Sequence, residues 1–493
     1  MKKVIFIKNA LLLTATALIL RLAGIVFKVW LSSQLGSEGV GLYQLTLSLY
    51  IFISAFAGGG ICTAVTRLCA ERLALGDSRG SYSALKKGIL LSFLISAVSL
   101  FLLFSSADFF AKNLLCDPRA AASLRVLAVS LPFTAVCSCL RGYFFARSKT
   151  LIPSLTQILE QAVRIFIVVF LLGYFSGYSL STACAIAFLG DAAAEALALF
   201  ILYLSYLSDK RRLGFFGGKA VRTREITRIA TPITLTRYLN SGLRAAENIL
   251  APRALSVLSP ANALSQFGLI KGMALPLLFF PSSFLTAIST LLIPEMSSAA
   301  KIGEKWRIRY AANRAISLTF LASFIIAALF FALSDSFGLL IYKSREVGFL
   351  LRFLAPLVPL MYIDSLCDGF LKGLDRQRFL FFVTVSDSAL RLILVYPVVS
   401  RFGILGFLWI MVGSNIYSAT LRLFSTLKCA DVPLQFYQWL LKPFVCSLLS
   451  VGIVKFIILK LNLPLLAETV VICLLSAGVY ALLMRRSIKE ELK

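Results

Sequence analysis

Runs of roughly twenty apolar residues recur from one end of this chain of 493 residues to the other, and that repetition restricts what it can fold into. As a helix, a run of that length crosses about 30 Å of hydrocarbon. There the backbone finds no water and must bond within itself. With 59% hydrophobic residues and a mean hydropathy of +0.87, the chain is too apolar for a soluble domain of this size. The pattern predicts an all-α polytopic membrane protein of about fourteen helices. The expected spans, numbered 1 to 14 in order, are 8–33, 39–67, 82–107, 122–146, 151–174, 179–206, 226–251, 267–295, 312–334, 347–372, 378–399, 403–426, 436–459 and 464–485. Links between them are short, which leaves no room for a soluble catalytic domain. The N-terminal Met1, Lys2, Lys3 followed by an apolar run could imitate a secretory signal, but it reads as a retained first helix.

A net charge of +27 would suggest nucleic acid in a soluble protein. In a membrane protein it reads instead as orientation, and no nucleic-acid partner is expected. Alternate loops carry the Lys and Arg, among them Arg79, Lys86 and Lys87, then Arg147 and Lys149, then Lys210, Arg211, Arg212 and Lys219, then Lys301 to Arg309, and the tail from Arg485 to Lys493. The positive-inside rule places this side, with both termini, in the cytoplasm. Ten scattered cysteines make neither a disulfide framework nor a metal spacing, and the chain has no histidine.

Against this background four cations inside spans stand out: Arg21 and Lys28 in span 1, Arg237 and Arg244 in span 7. Each pair is seven residues apart, so both members share a helix face about 10 Å apart along the axis. A cation at mid-bilayer costs roughly 2.5–3.5 kcal/mol, so such residues usually face a cavity or an opposite charge. Lys28, nearer the outer end, can also snorkel to the headgroups. An arginine in a cavity offers bidentate, charge-assisted bonds to phosphate oxygens.

The arrangement repeats along the chain. Segments 124–168 and 351–395 align without a gap, matching Pro132 with Pro359, Gly142 with Gly369, Glu160 with Asp387 and Arg164 with Arg391. Two pseudo-symmetric six-helix lobes follow, with an N-lobe of 1–208, a basic cytoplasmic linker of 209–228 and a C-lobe of 229–430. Helices 13 and 14 and a cytoplasmic tail fill 431–493. Six spans separate equivalents, so the repeats run in the same direction, and a site between two rocking lobes is the expected transport architecture.

Other intramembrane charges come with helical spacing: Glu160/Arg164, Asp387/Arg391 and Arg244/Glu247. Asp191 and Glu195 lack a local partner and should neutralise a cation on another helix. Asp364, Asp368 and Lys372 form a stripe on span 10 that could face the cavity. Carboxylates such as Glu247 and Asp387 are candidates for H⁺ or Na⁺ coupling. Gly58, Gly59 and Gly60 should interrupt span 2, and Pro276, Pro281 and Pro294 span 8.

Three stretches resemble a known family. Leu35–Gln44 (LGSEGVGLYQ), Gly60–Glu71 (GICTAVTRLCAE) and Phe267–Ser282 (FGLIKGMALPLLFFPS), with Leu292–Ser297 (LIPEMS), are similar to the stage V sporulation protein B group. That group lies in the polysaccharide transporter branch of the multidrug/oligosaccharidyl-lipid/polysaccharide exporter superfamily. Cys62 stands where a proline is usual. The resemblance implies a flippase for undecaprenyl-diphosphate-linked cell-wall saccharides in a bacterial cytoplasmic membrane. Related lipid II flippases use arginines of helices 1 and 7 for the diphosphate, so Arg21, Lys28, Arg237 and Arg244 carry that role over by resemblance. They also carry an arginine in helix 2, where the stretch 42–56 here has none. In those relatives helices 13 and 14 border a lipid groove. Ion coupling there involves helices 7, 11 and 12, which points to Glu247, Asp387 and Asn415. No cofactor is expected beyond a driving ion or the membrane potential. The expected partners are the lipid-linked saccharide and membrane lipids, with the chain a monomer.

A multidrug antiporter of the same fold would need acids and aromatics to hold organic cations, and the cationic pairs speak against it. A membrane-embedded glycosyltransferase would need carboxylates in a sizeable surface loop, which the sequence lacks.

Overall fold

The computed structural model describes residues 2–174, 177, 179–212, 221–461 and 463–485. Lys219 and the tail from Arg486 lie outside the described residues. Described backbone is helical almost throughout, with no strand. Ten helices are long and apolar enough to cross a membrane. Two of these each cover two expected spans. Lys2–Ala74 changes direction at Gly36 (φ 67°, ψ 178°), and Gln377–Ala430 at Gly403 (φ 59°, ψ −140°). Both glycines adopt backbone angles that L-residues rarely reach, which is how two spans join without a loop. Spans 7 and 8 are the less apolar Thr223–Ser256 and the segmented run from Ala263 to Ile302. Counted this way the helices are consistent with fourteen crossings.

Span 8 breaks at two of its three prolines. A π-helical stretch, Leu269–Ala274, precedes Pro276, and a new helix starts at Ser282 directly after Pro281. No break occurs at the third, because helix Ser282–Ile302 continues through position 294. Span 2 does not break. The helix runs uninterrupted through Gly58, Gly59 and Gly60, so these glycines serve another purpose, taken up below.

The chain divides into two compact units, Met1–Arg253 and Ala254–Lys493. The first unit thus includes span 7. The physical reason is packing: Val221, Ile226 and Ala230 are buried in one core with Ile61, Val65, Leu140, Phe144 and Leu202. In the second unit Ile316, Phe320, Ile363, Phe370, Leu427 and Trp439 form the main core. Lys455 of span 13 donates to the carbonyl of Ala332 at 2.6 Å, and Tyr480 of span 14 to that of Leu321 at 2.9 Å, so spans 13 and 14 are fastened to span 9.

The repeat is visible in the backbone. Ser78–Ser105 and Lys305–Ala332 begin and end at equivalent positions, at the offset that pairs Leu124 with Leu351. Positive φ angles recur at that same offset: Gly76 and Gly303, Cys116 and Lys343, Ser148 and Asp375. Such angles are uncommon in residues other than glycine, so their coincidence marks a shared chain path. An ion pair is duplicated too, Arg125 with Asp108 in the first unit and Arg352 with Asp335 in the second.

Candidate functional site

Span 7 crosses span 2 at Gly59 and Gly60, and the absence of side chains there makes the close approach possible. A methyl group added at Gly59 would sit 2.9 Å from Cδ of Arg237 and 3.2 Å from one of its terminal nitrogens. At Gly60 it would collide with Thr234 and the carbonyl of Ala230. The absence of side chains thus lets the Arg237 stem lie flat on span 2. Phe52 packs against Tyr238 with ring centroids 4.5 Å apart, and Asn248 donates to Ser48 Oγ at 2.9 Å, which fastens the two helices further along.

Arg237 opens onto a cavity of about 180 Å³ between spans 2, 4 and 7. Ser54, Gly59 and Cys62 line it from span 2, and Thr134 and Ser138 from span 4. The lining is small and mostly apolar, with the Arg237 guanidinium as its one charged group, so an anion entering it would meet that cation.

Arg21, Lys28 and Arg244 also carry exposed side chains, but they do not line this cavity. All four cations fall within the first unit, because span 7 packs with it. Arg244 and Glu247, three residues apart, end in different surroundings: Arg244 is exposed and Glu247 only 2% exposed.

Asp191 and Glu195 do find cations on other helices. Arg164 Nε lies 2.5 Å from Asp191, and its other end 3.3 Å from Glu160. Arg141, on span 4, reaches Glu160 at 2.5 Å and Glu195 at 3.9 Å. Three carboxylates and two guanidiniums are thus gathered among spans 4, 5 and 6, all largely buried. Oε2 of Glu195 is buried without a hydrogen-bond partner.

The second unit has a balanced counterpart. Asp387 accepts from Arg391 at 2.8 Å and from Ser414 Oγ at 2.5 Å. Arg422 of span 12 donates to Asp364 at 2.7 Å and to Thr384 at 3.0 Å. Asp368 pairs with Lys372. The stripe on span 10 is therefore held by ion pairs, with Asp364 reaching span 12. Asn415 donates to Met411 O in its own helix at 2.8 Å.

The two halves assign the signs differently. In the repeat register Arg141 corresponds to Asp368 and Glu195 to Arg422. Span 4 therefore brings the cation and span 6 the acid in the first unit, while span 10 brings the acid and span 12 the cation in the second. Sequence reasoning missed Arg141 and Arg422, because their partners lie on other helices and no local spacing betrays them. The signal available was a single arginine deep in an apolar span.

Comparison with known proteins agrees with this architecture. A family model described as polysaccharide biosynthesis protein matches residues 6–300. Stage V sporulation protein B of Bacillus subtilis (strain 168) is 25% identical over 473 residues, 93% of this chain and 91% of that protein. Among solved structures, the lipid II flippase MurJ in an inward closed conformation aligns with a TM-score of 0.73 at 15% identity, covering 97% of this chain and 99% of the other. An inward-facing multidrug resistance MATE family transporter aligns at 0.66 with 15% identity, covering 84% and 98%.

Proposed function

We propose, from the premise that this chain belongs to the polysaccharide biosynthesis protein family, that it is a flippase for a polyprenyl-diphosphate-linked saccharide. It would move this cargo from the cytoplasmic to the outer leaflet of a bacterial cytoplasmic membrane by alternating access, with both termini cytoplasmic. The names of its relatives, a lipid II flippase and a stage V sporulation protein, support this cargo class. The observation that carries the reading is Arg237, laid across Gly59 and lining a cavity inside a membrane-spanning unit. A guanidinium there favours phosphate oxygens and disfavours the organic cations of a multidrug antiporter. Arg21, Lys28 and Arg244 would serve as further diphosphate contacts. No bond is made or broken in such a cycle; the cargo need only bind both access states.

For coupling, the first-unit cluster is the stronger candidate. Asp387 is already matched by Arg391 and Ser414, whereas Arg141 and Arg164 face three carboxylates, Glu160, Asp191 and Glu195. Tyr43, Tyr50 and Cys137 also adjoin this cluster. A proton carried on Glu195 would balance it. Glu195→Gln should then leave exchange of the lipid measurable but insensitive to an imposed pH gradient, and a gradient response equal to wild type would remove Glu195 from the coupling.

The direct test is leaflet exchange of a fluorescent undecaprenyl-diphosphate saccharide in reconstituted vesicles. Arg237→Ala should slow exchange at least about tenfold, the scale of losing one charge-assisted contact. Unchanged exchange by a stable Arg237→Ala protein, or transport of organic cations in its place, would overturn the proposal.

A further inference from the structure

The start of span 9, on the side rich in lysine and arginine, carries a surface that its duplicate in the first unit lacks. In helix Lys305–Ala332, Ile308, Ala312, Ala315 and Ile316 are buried in the main core of the second unit. Trp306 and Tyr310, four residues apart and so neighbours along the helix, occupy another face and are 70% and 49% exposed. Arg314 extends their line by a further turn. Its guanidinium donates to the Tyr310 hydroxyl at 2.7 Å and lies 5.7 Å from the ring centroid. Lys305 and Arg309 run beside this line, both exposed, with Arg309 3.7 Å from the exposed Asp431.

In the repeat register the first unit has Arg79 and Ser83 at the positions of Trp306 and Tyr310, within the equally placed helix Ser78–Ser105. That helix forms without aromatic residues there, so the ring pair of the second unit answers to something outside the chain's own packing.

Depth and charge identify it. Span 9 is expected to enter hydrocarbon near residue 312. At about 1.5 Å per residue, Trp306 stands about 9 Å further out, level with the headgroups. Indole and phenol rings settle at that level, where the apolar body and the polar tip are both satisfied. Between positions 301 and 314, Lys301, Lys305, Arg307, Arg309 and Arg314 face a single acid in sequence, Glu304. A ring stripe bordered by cations at the height of lipid phosphates fits anionic phospholipid. A soluble acidic protein would need a surface standing clear of the headgroups.

We propose that the start of span 9 is a binding surface for anionic phospholipid headgroups. Trp306 and Tyr310 seat among the headgroups, and Lys305, Arg309 and Arg314 hold their negative charge. This surface is separate from the Arg237 cavity and does not depend on the identity of the cargo.

The experiment uses the full chain in vesicles of phosphatidylcholine with a minor fraction of phosphatidylglycerol, one lipid or the other carrying bromine high on its acyl chains. Bromine quenches indole fluorescence at contact, and the difference between wild type and Trp306→Phe isolates Trp306 among the four tryptophans. At equal mole fraction, brominated phosphatidylglycerol should quench Trp306 several-fold more than brominated phosphatidylcholine, since each cation near an anionic surface is worth about fivefold. High salt should shrink that preference. The double variant Lys305→Gln, Arg309→Gln, which keeps both rings, should bring it close to unity. Equal quenching by the two lipids in the unaltered protein, or a preference that survives the double variant intact, overturns the proposal. Quenching by neither lipid overturns it as well and leaves the stripe to a soluble partner.

Discussion

At the scale of single residues, the most consequential side chain outside the cavity is Arg141. It stands between Glu160 and Glu195, and all three side chains are largely buried. Removing one partner of a buried ion pair strands the other and costs about 3–5 kcal/mol. Arg141→Ala should therefore lower the thermal midpoint in detergent markedly, whereas Arg67→Ala, which breaks an exposed helical pair with Glu71, should leave it within about 0.5 kcal/mol of wild type. Equal midpoints for the two variants would contradict the burial argument. Part of this cluster was legible from sequence: an acid without a neighbour at helical spacing needs a cation elsewhere, and Asp191 and Glu195 both have one. Which cation it is was not legible, since the answer depends on how spans 4, 5 and 6 pack.

At the scale of helices, glycine plays two distinct parts that composition alone does not separate. Gly36 bends the chain between spans 1 and 2 at φ 67°, ψ 178°, a conformation closed to other residues without strain of about 1–3 kcal/mol. Gly36→Ala should lower stability by that amount even though open space surrounds the position. Gly59 and Gly60 leave their helix straight and instead admit span 7, while Gly58 faces Ala135 and Ser138 of span 4. A run of glycines in a span signals either a hinge or a close approach, and only the neighbouring helix decides between them. Prolines are no simpler to read: span 8 breaks at Pro276 and Pro281, while Pro132, Pro232 and Pro397 sit inside helices that continue through them.

For the whole molecule, span number and repeat were readable because hydrocarbon thickness and chain duplication leave long-range periodic marks. The grouping of span 7 with the first six was not, since it depends on contacts between small residues far apart in sequence. Orientation gives a prediction at this scale. Cys116 is exposed in the loop before span 4, on the side poor in lysine and arginine. A membrane-impermeant maleimide should label it in intact cells, and protection until the cells are lysed would reverse the topology.

The opposite sign assignment in the two halves restricts how such a chain can be rebuilt. A chimera that keeps span 4 but borrows span 12 in place of span 6 would set Arg141 against Arg422, two largely buried like charges. Borrowing span 6 in place of span 12 would set Glu195 near Asp364. Parts of this protein are therefore interchangeable only as complete halves, and each helix carries an electrical address that admits its own neighbours and refuses their duplicates.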